Sequence, residues 1–496
     1  MSDSKKEILG EQGIYDAKTL GTPKMLILGL QHMFAMFGST VLVPLITGLS
    51  VSATLLFAGL GTLLFHLITK KKVPAFLGSS FAFLAGYGTI AGLVVAKADG
   101  SPMTPQELLP YACFGVALAG LVYLILAGLI KAFGVNRVMK FFPPIVTGPI
   151  IIAIGLCLSA TAINSCSTNW LVAVVAILII VICNIWGKGM IKIIPILLGV
   201  VGACLLCIVL TLALGVPVDG YYTINGNANF QLFSQASIEN IKNAAWIGLP
   251  FKYQDTVFSI FSGGNLDTGL LVTAIVTIVP ISLATIVEHI GDISAISSTV
   301  GDNFIKDPGL HRTLMGDGLA TTLASLFGAP ANTTYGENTG VLTLSKVFDP
   351  KVVRLAAVFA MCFSISPKLA ACISAIPTPV VGGISLVLYG MISAVGVRNI
   401  VENQIDFGKS RNVIIAALIL VLSIGVTYSA AGAIVIPCGS VVISLSGLAV
   451  GSLVGIILNA VLPGKDYVFE SNQKAAQAKD STITDEPLKT QKKKKK

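Results

Sequence analysis

The stretch Pro330-Ala-Asn-Thr-Thr-Tyr-Gly-Glu-Asn-Thr-Gly-Val341 is polar and rich in small residues, yet hydrophobic segments flank it on both sides. It carries a carboxylate, Glu337. Backbone that leaves the helix at membrane depth must line a protein-walled or wet cavity, because lipid satisfies neither N–H nor C=O groups. An ionisable residue at that depth marks a functional site by default. The competing reading is a short loop outside the membrane, so the surroundings have to decide.

Those surroundings are apolar. Of 496 residues 54% are hydrophobic and only 11% charged, with a mean hydropathy of +0.84. Soluble domains carry about 25% charged residues, so a single soluble core is excluded and a polytopic membrane protein is expected. The four histidines, His32, His66, His289 and His311, show no zinc-ligand spacing. The nine cysteines are scattered, mostly in apolar runs, and read as small buried hydrophobes, the Cys204-x-x-Cys207 pair included. No metal, no cofactor and no enzymatic motif (nucleophile elbow or phosphate loop) is expected. The net charge of +9 comes largely from loops and a Lys-rich tail, which suits orientation in a bilayer rather than nucleic-acid binding. The first 20 residues are polar, with no signal-peptide pattern.

Apolar runs long enough to cross about 30 Å of hydrocarbon recur along the chain. They predict fourteen spans, near 24–47, 52–69, 74–96, 108–132, 143–163, 169–187, 191–214, 268–291, 311–328, 332–346, 350–374, 378–396, 410–430 and 435–462. With the N-terminus inside, the inner loops hold sixteen Lys and Arg, from Lys70 to Arg411, against four outside: Lys97, Lys242, Lys252 and Lys368. That asymmetry follows the positive-inside rule and places both termini in the cytoplasm of a cell-membrane protein. The tail from 464 is polar, ends in five lysines and is expected to be disordered.

The long outer loop 215–267 falls near mid-chain and divides the spans seven and seven. An odd number per half makes the halves enter from opposite sides, an inverted repeat. Two internal echoes sit seven spans apart. Pro74-Ala-Phe-Leu-Gly-Ser-Ser-Phe81 matches the stretch at 330–337, and Phe142-Pro-Pro-Ile-Val-Thr-Gly148 matches Ile376-Pro-Thr-Pro-Val-Val-Gly-Gly383. Interrupted segments in matching positions point to a substrate site. The fold class is therefore all-α and polytopic: fourteen segments in a 7+7 inverted repeat, with short extended strands opening spans 3 and 10.

Polar groups inside the spans supply the chemistry. In Val287-Glu-His-Ile-Gly-Asp292, Glu288 and Asp292 are four apart and share a helix face, while His289 turns about 100° away. Two carboxylates there must be wet, paired or protonated, which suits proton uptake. The competing reading is a polar helix end emerging into the cytoplasm, with His289 a packing residue. Glu337 begins a short helix, where the helix N-terminus favours the carboxylate and burial favours the acid. Asp317, between Gly316 and Gly318, reads as a structural hydrogen-bonding group. Gln31, His32 and Ser39 in span one suggest inward polar contacts, or else satisfied interhelical bonds. Together these groups suit a small, flat, neutral, amide-like solute. Carboxylates accept from ring N–H groups, backbone N–H groups beside Phe81 and Gly336 donate to ring carbonyls, and Phe81 and Tyr335 offer faces for stacking.

The motifs Gln31-His-Met-Phe-Ala-Met-Phe-Gly38, Pro74 to Phe83, Glu288 to Gly291, Asp307-Pro-Gly-Leu-His-Arg312 and Asn332-Thr-Thr-Tyr-Gly-Glu-Asn338 resemble the nucleobase–ascorbate transporter family, in its uracil-transporting branch. The resemblance runs from about 20 to 463. It implies proton-coupled uptake of uracil by a core domain (spans 1–4 at 24–140 and 8–11 at 268–375) and a gate domain (spans 5–7 at 141–214 and 12–14 at 376–463). It also implies that Glu288 and Glu337 hold the pyrimidine, with backbone contacts at Phe81 and Gly336. Ser39 is expected at the solute and Tyr335 in the wall. Gln31, His32, Ser80 and Asn338 are expected as neighbours, and Glu337, Glu288, His32 and Asp292 as the proton-coupling groups. Asp292 stands where the uracil branch has histidine, so a xanthine or broader nucleobase symporter is the alternative. An anion transporter or channel of similar architecture ranks below it, since the site is acidic. Sodium coupling and a homodimer are left open.

Overall fold

The computed structural model describes residues 13–95, 97, 101–262, 266–438 and 441–464, with backbone alone at 337, 338, 438, 441 and 442. The expected N-terminal residues before 13 and the Lys-rich tail from 465 lie outside the described residues. The first half contains α1 (Thr22–Thr47), α2 (Val51–Ile68), strand β1 (Leu77–Ser79), α3 (Leu84–Ala91) and α4 (Pro105–Phe133). It continues with α5 (Pro144–Cys157), α6 (Ser159–Ser167), α7 (Trp170–Ile185) and α8 (Pro195–Leu214). The second half begins with α9 (Thr268–Ile278), α10 (Ser282–Val300), α11 (Leu310–Leu326), a strand at Asn332–Thr334 and α12 (Gly336–Ser345). It ends with α13 (Pro350–Ser364), α14 (Pro367–Ser374), α15 (Thr378–Glu402), α16 (Ser410–Thr427) and α17 (Gly447–Val461).

Among the described residues, eight helical stretches are long and apolar enough to cross a membrane, or nine if α13 and α14, bent by 91° at the break, form one span. The chain is a multi-pass membrane protein. Other expected spans correspond to shorter elements. α7 has 16 residues, α17 has 15, and the segments at 74–96 and 332–346 each begin as strand and only then become helix.

Two expectations need correction and a third needs an addition. The last span, read as one helix over 435–462, begins instead as a β-hairpin of Ala433–Cys438 against Val441–Ser446. Pro437 would remove a helical hydrogen bond, and the β-branched Ile434, Val435, Ile436, Val441, Val442 and Ile443 on both sides of it favour the extended chain. The loop 215–267 also contains structure: strands Gly215–Val218, Tyr221–Ile224 and Gln231–Ser234 form a three-stranded antiparallel sheet, β2 to β4, followed by a helix over Gln235–Asn243. Cysteines are not uniformly buried either, since Cys362 and Cys372 are exposed.

The helices pack in two sets. In one, α4 lies against α11 and α9, while α2 lies against α11 and α13 and α1 against α13. In the other, α15 lies against α5, α6 and α7, and α5 against α16 and α17. Small residues allow the closest crossings, as packing without a hydrophobic drive requires. A Cβ at Gly318 of α11 would stand 2.6 Å from the Gly120 carbonyl of α4, and one at Gly396 of α15 would stand 2.7 Å from the Gly148 carbonyl of α5. α10 meets both sets, touching α4 and α11 of the first and α5 and α17 of the second, and it also touches α12.

Candidate functional site

The strand at Asn332–Thr334 is β5 in chain order. It pairs antiparallel with β1, Leu77 opposite Thr334, Gly78 opposite Thr333 and Ser79 opposite Asn332. The two echo sequences therefore meet in the interior of the molecule, where all six of these residues are buried. Extended backbone buried here satisfies its ladder groups across the pair, which explains how it persists among helices. The Ser80 N–H continues the ladder to the Ala331 carbonyl at 2.8 Å. Side chains pin the strands to their neighbours. The Thr62 hydroxyl accepts from the Leu77 N–H at 2.9 Å, the Ser79 hydroxyl donates to the Thr40 carbonyl at 2.8 Å, and the Asn332 amide donates to the Phe57 carbonyl at 2.9 Å.

Both strands feed short helices. β5 turns at Tyr335 into α12. The Tyr335 ring lies over Gly78, where any side chain would collide with it, and its hydroxyl donates to the Ser79 carbonyl at 3.0 Å. Tyr335 thus clasps one strand from the end of the other.

A cavity of about 450 Å³ opens beside this junction. Its wall includes Phe81, Glu288, Asp292, Thr334, Tyr335 and Gly336. Ala35 and Met36 of α1 complete that side, while Ile151 of α5, Ile196 of α8 and Met391, Ile392 and Val395 of α15 face them. Asn184, Lys192 and Arg398 also line it. Phe81 meets the edge of Tyr389 on α15, with ring centroids 5.7 Å apart at 78°. The cavity accordingly has carboxylates and an aromatic face on one wall and, opposite, mainly apolar side chains together with Arg398 of α15.

Glu288 and Asp292 stand in the middle of α10, which runs to Val300, rather than at an emerging helix end. The Asp292 carboxylate accepts from the Thr334 hydroxyl at 3.2 Å. A Cβ on Gly336 would lie 3.1 Å from Asp292 Oδ1, so α12 starts close against α10. On its other face α10 presents His289, whose Nδ1 lies 2.9 Å from Asp317 Oδ2 and 3.2 Å from the Thr334 hydroxyl. One proton assignment fits the hydrogen bonds: Nδ1–H donates to the Thr334 hydroxyl, which donates in turn to Asp292, while the Asp317 carboxylate lies close beside the same nitrogen. The edges of Phe65 and Tyr123 enclose the imidazole, at 6.4 and 6.5 Å between centroids.

Of the residues expected at the site, the structure brings Glu288, Asp292, Phe81, Tyr335 and Gly336 to the cavity wall. Gln31, His32, Ser39 and Ser80 are buried and are not among the lining residues. The side chains of Glu337 and Asn338 lie outside the described residues, and their backbone forms the first turn of α12. Sequence reasoning missed Thr334 as the link between His289 and Asp292. It also missed the α15 wall, where Met391, Ile392 and Val395 are apolar residues within an apolar span and carry no polar signal.

The fold is shared with solved membrane transporters. The transmembrane domain of a cyanobacterium bicarbonate transporter, BicA, superposes with a TM-score of 0.58 at 15% identity, covering 92% of this chain and all of that one. SLC26A9 superposes with a TM-score of 0.57 at 13% identity, over 90% of this chain and 66% of that one. At such identities the likeness is one of architecture.

A model of the Permease family matches residues 23–432, and the chain belongs to this family, the nucleobase–ascorbate transporters that its motifs resemble. The uracil permease of Bacillus caldolyticus is 39% identical over 475 residues, 93% of this chain and 97% of that protein. That of Bacillus subtilis (strain 168) is 39% identical over 450 residues, 88% and 91% of the two chains. The putative pyrimidine permease RutG of Escherichia coli (strain K12) is 35% identical over 447 residues, 88% and 89%.

Proposed function

We propose that this protein is a secondary-active importer of uracil, coupled to protons and working by alternating access in the cell membrane. The observation that carries the proposal is the cavity wall on which Phe81, Glu288, Tyr335 and Gly336 stand together at the junction of two strand–helix breaks. A flat ring with adjacent N–H and C=O groups finds there a carboxylate to accept from it, a helix start to donate to it and an aromatic face to cover it. The identity to uracil permeases over about nine-tenths of the chain supports the same solute.

In this account Glu288 and Glu337 hold the ring, Glu337 takes and releases the coupled proton, and Asp292 and His32 tune that exchange. Fourteen segments, seven and seven in inverted repeat, form a core (spans 1–4 and 8–11) that moves against a gate (spans 5–7 and 12–14), both termini being cytoplasmic. Transport follows from rocking the α15, α5 and α8 wall across the fixed site. Lys192 and Arg398 at the cavity then lie on the cytoplasmic side, in keeping with an inward-facing state.

A second solute class, xanthine or a broader set of bases, is favoured by Asp292, a carboxylate on the cavity wall beside Gly336. Uptake of labelled uracil into proteoliposomes, competed by a panel of bases under imposed proton or sodium gradients, separates the possibilities. Uptake driven by the proton gradient and competed by uracil alone supports the proposal. Chloride or sulfate current without nucleobase contradicts it.

A further inference from the structure

One segment ahead of α1 grips the far ends of both elements that form the polar cavity wall. The Tyr15 hydroxyl donates to the carbonyl of Val300, the last residue of α10, at 2.7 Å. One residue earlier, the Ile14 N–H donates to the Lys346 carbonyl just past α12, and the Ile14 carbonyl accepts from the Phe348 N–H, both at 2.8 Å. Ile14 and Val347 thus form a parallel bridge. The Tyr15 ring packs on Phe348 with centroids 5.3 Å apart. The Ala17 N–H donates to Asp349 Oδ2 at 2.8 Å, and Lys351 reaches Asp16 at 2.9 Å. Beneath these bonds Ile14, Ala17 and Leu20 are buried against Leu28, Val347 and Val352.

The arrangement has a mechanical consequence. α12 has 10 residues, about 15 Å of helix, and Asp292 lies about 12 Å of helix from Val300. Gly336 and Asp292, which nearly touch at the cavity, sit on two rods whose opposite ends are tied by neighbouring residues, Ile14 and Tyr15. A short helix held at one end by strand pairing alone opens easily, and a tie at the other end limits that opening. Lys346, in the left-handed conformation at φ 52°, makes the turn that presents its carbonyl to Ile14.

We propose that residues 13–18 are a positioning strap that fixes α12 against α10 and so sets the separation of Gly336 and Asp292 at the cavity. The consequence for the solute rests on the reading that these two helices hold uracil. The mechanical claim does not.

The test uses full-length protein carrying Ile14→Ala with Tyr15→Phe, compared with wild type and with the conservative Ile14→Val. Two quantities are read: amide hydrogen exchange, without solute, in 336–345 against α4 as the internal standard, and uracil affinity by titration. The expected result is exchange in 336–345 faster on the order of tenfold with α4 unchanged, a several-fold weaker uracil affinity, and near-wild-type behaviour of Ile14→Val. Unchanged exchange in 336–345 overturns the proposal, as does acceleration spread equally over all helices. Faster exchange with full affinity reduces the strap to a tether and also overturns the positioning role. If the double variant does not fold, Tyr15→Phe alone is read in the same way. Should wild type fail to bind uracil, the solute assignment falls while the exchange measurement still judges the strap.

Discussion

His289 Nδ1 lies 2.9 Å from Asp317 Oδ2, and neither side chain is exposed to solvent at all. The pair joins α10 to α11 behind the cavity wall, and Thr334 extends it to Asp292 on that wall. A buried carboxylate is tolerated when it is partnered and is costly when the partner is removed. His289→Ala is therefore expected to destabilise the protein by about 3–5 kcal/mol, measured as unfolding free energy in detergent. In a double-mutant cycle, His289→Ala with Asp317→Ala should cost less than the sum of the single changes. Strict additivity would show that the two groups do not interact.

Thr334→Val keeps the shape of the side chain and deletes its hydroxyl. Asp292 loses a donor in a site where unsatisfied groups cost about 1–3 kcal/mol. Uracil affinity, read by calorimetric titration, is expected to fall about tenfold or more with little change in thermal midpoint. Wild-type affinity would take Thr334 out of the chain that orients Asp292.

The strand junction was legible because its residues contradict their setting. Polar Asn332 to Glu337 in an apolar neighbourhood, echoed by Pro74 to Phe81, favours a protein-lined break over a loop outside the membrane, and the structure pairs those two segments. Glu288 and Asp292 were legible for a similar reason, being acidic at i and i+4 within an apolar helix. The identity of Asp317's partner was not legible, because contact between α10 and α11 depends on tertiary packing and leaves no sequence spacing. Tyr389 and the apolar α15 residues at the cavity carry no polar group at odds with a membrane helix, so nothing in the sequence marks them. Residues 435–446 read as helix because hydropathy alone does not distinguish a β-branched apolar run from a helical one; Pro437 is the clue.

Gly78 leaves the space that the Tyr335 ring occupies. Gly78→Ala must displace the ring or the strand, at about 1–3 kcal/mol of overpacking, and should lower the thermal midpoint and uracil affinity together. At Gly336 the nearest atom to an added Cβ is Asp292 Oδ1 at 3.1 Å, so Gly336→Ala should cost affinity with less loss of stability. The reverse order of the two variants in thermal unfolding would contradict this packing.

Loop carboxylates are not expected to set the pH dependence of uptake. The Lys72 ammonium beside Asp307 holds its carboxyl below the ordinary range, and the Lys351 ammonium does the same for Asp16. A depressed carboxyl contributes fully above its unfolded value, near 4, and its contribution fades only as pH falls through the lower folded value. Both pairs therefore stay formed from about pH 5 to pH 8, and Asp307→Asn or Asp16→Asn should leave the pH profile of uracil uptake unmoved across that range. Glu337→Gln should flatten it while some binding survives. Full proton-driven uptake by Glu337→Gln would remove Glu337 from coupling.

Glu288 is the cavity-wall carboxylate proposed to accept from the ring. Titration of purified Glu288→Ala with uracil, beside a wild-type control of equal thermal stability, tests it directly. Loss of one charge-assisted hydrogen-bonding group is worth about 1.5–3 kcal/mol, so the expected result is an affinity lower by about ten- to hundredfold. Uracil binding at the wild-type affinity would contradict the assignment of this cavity as the solute site.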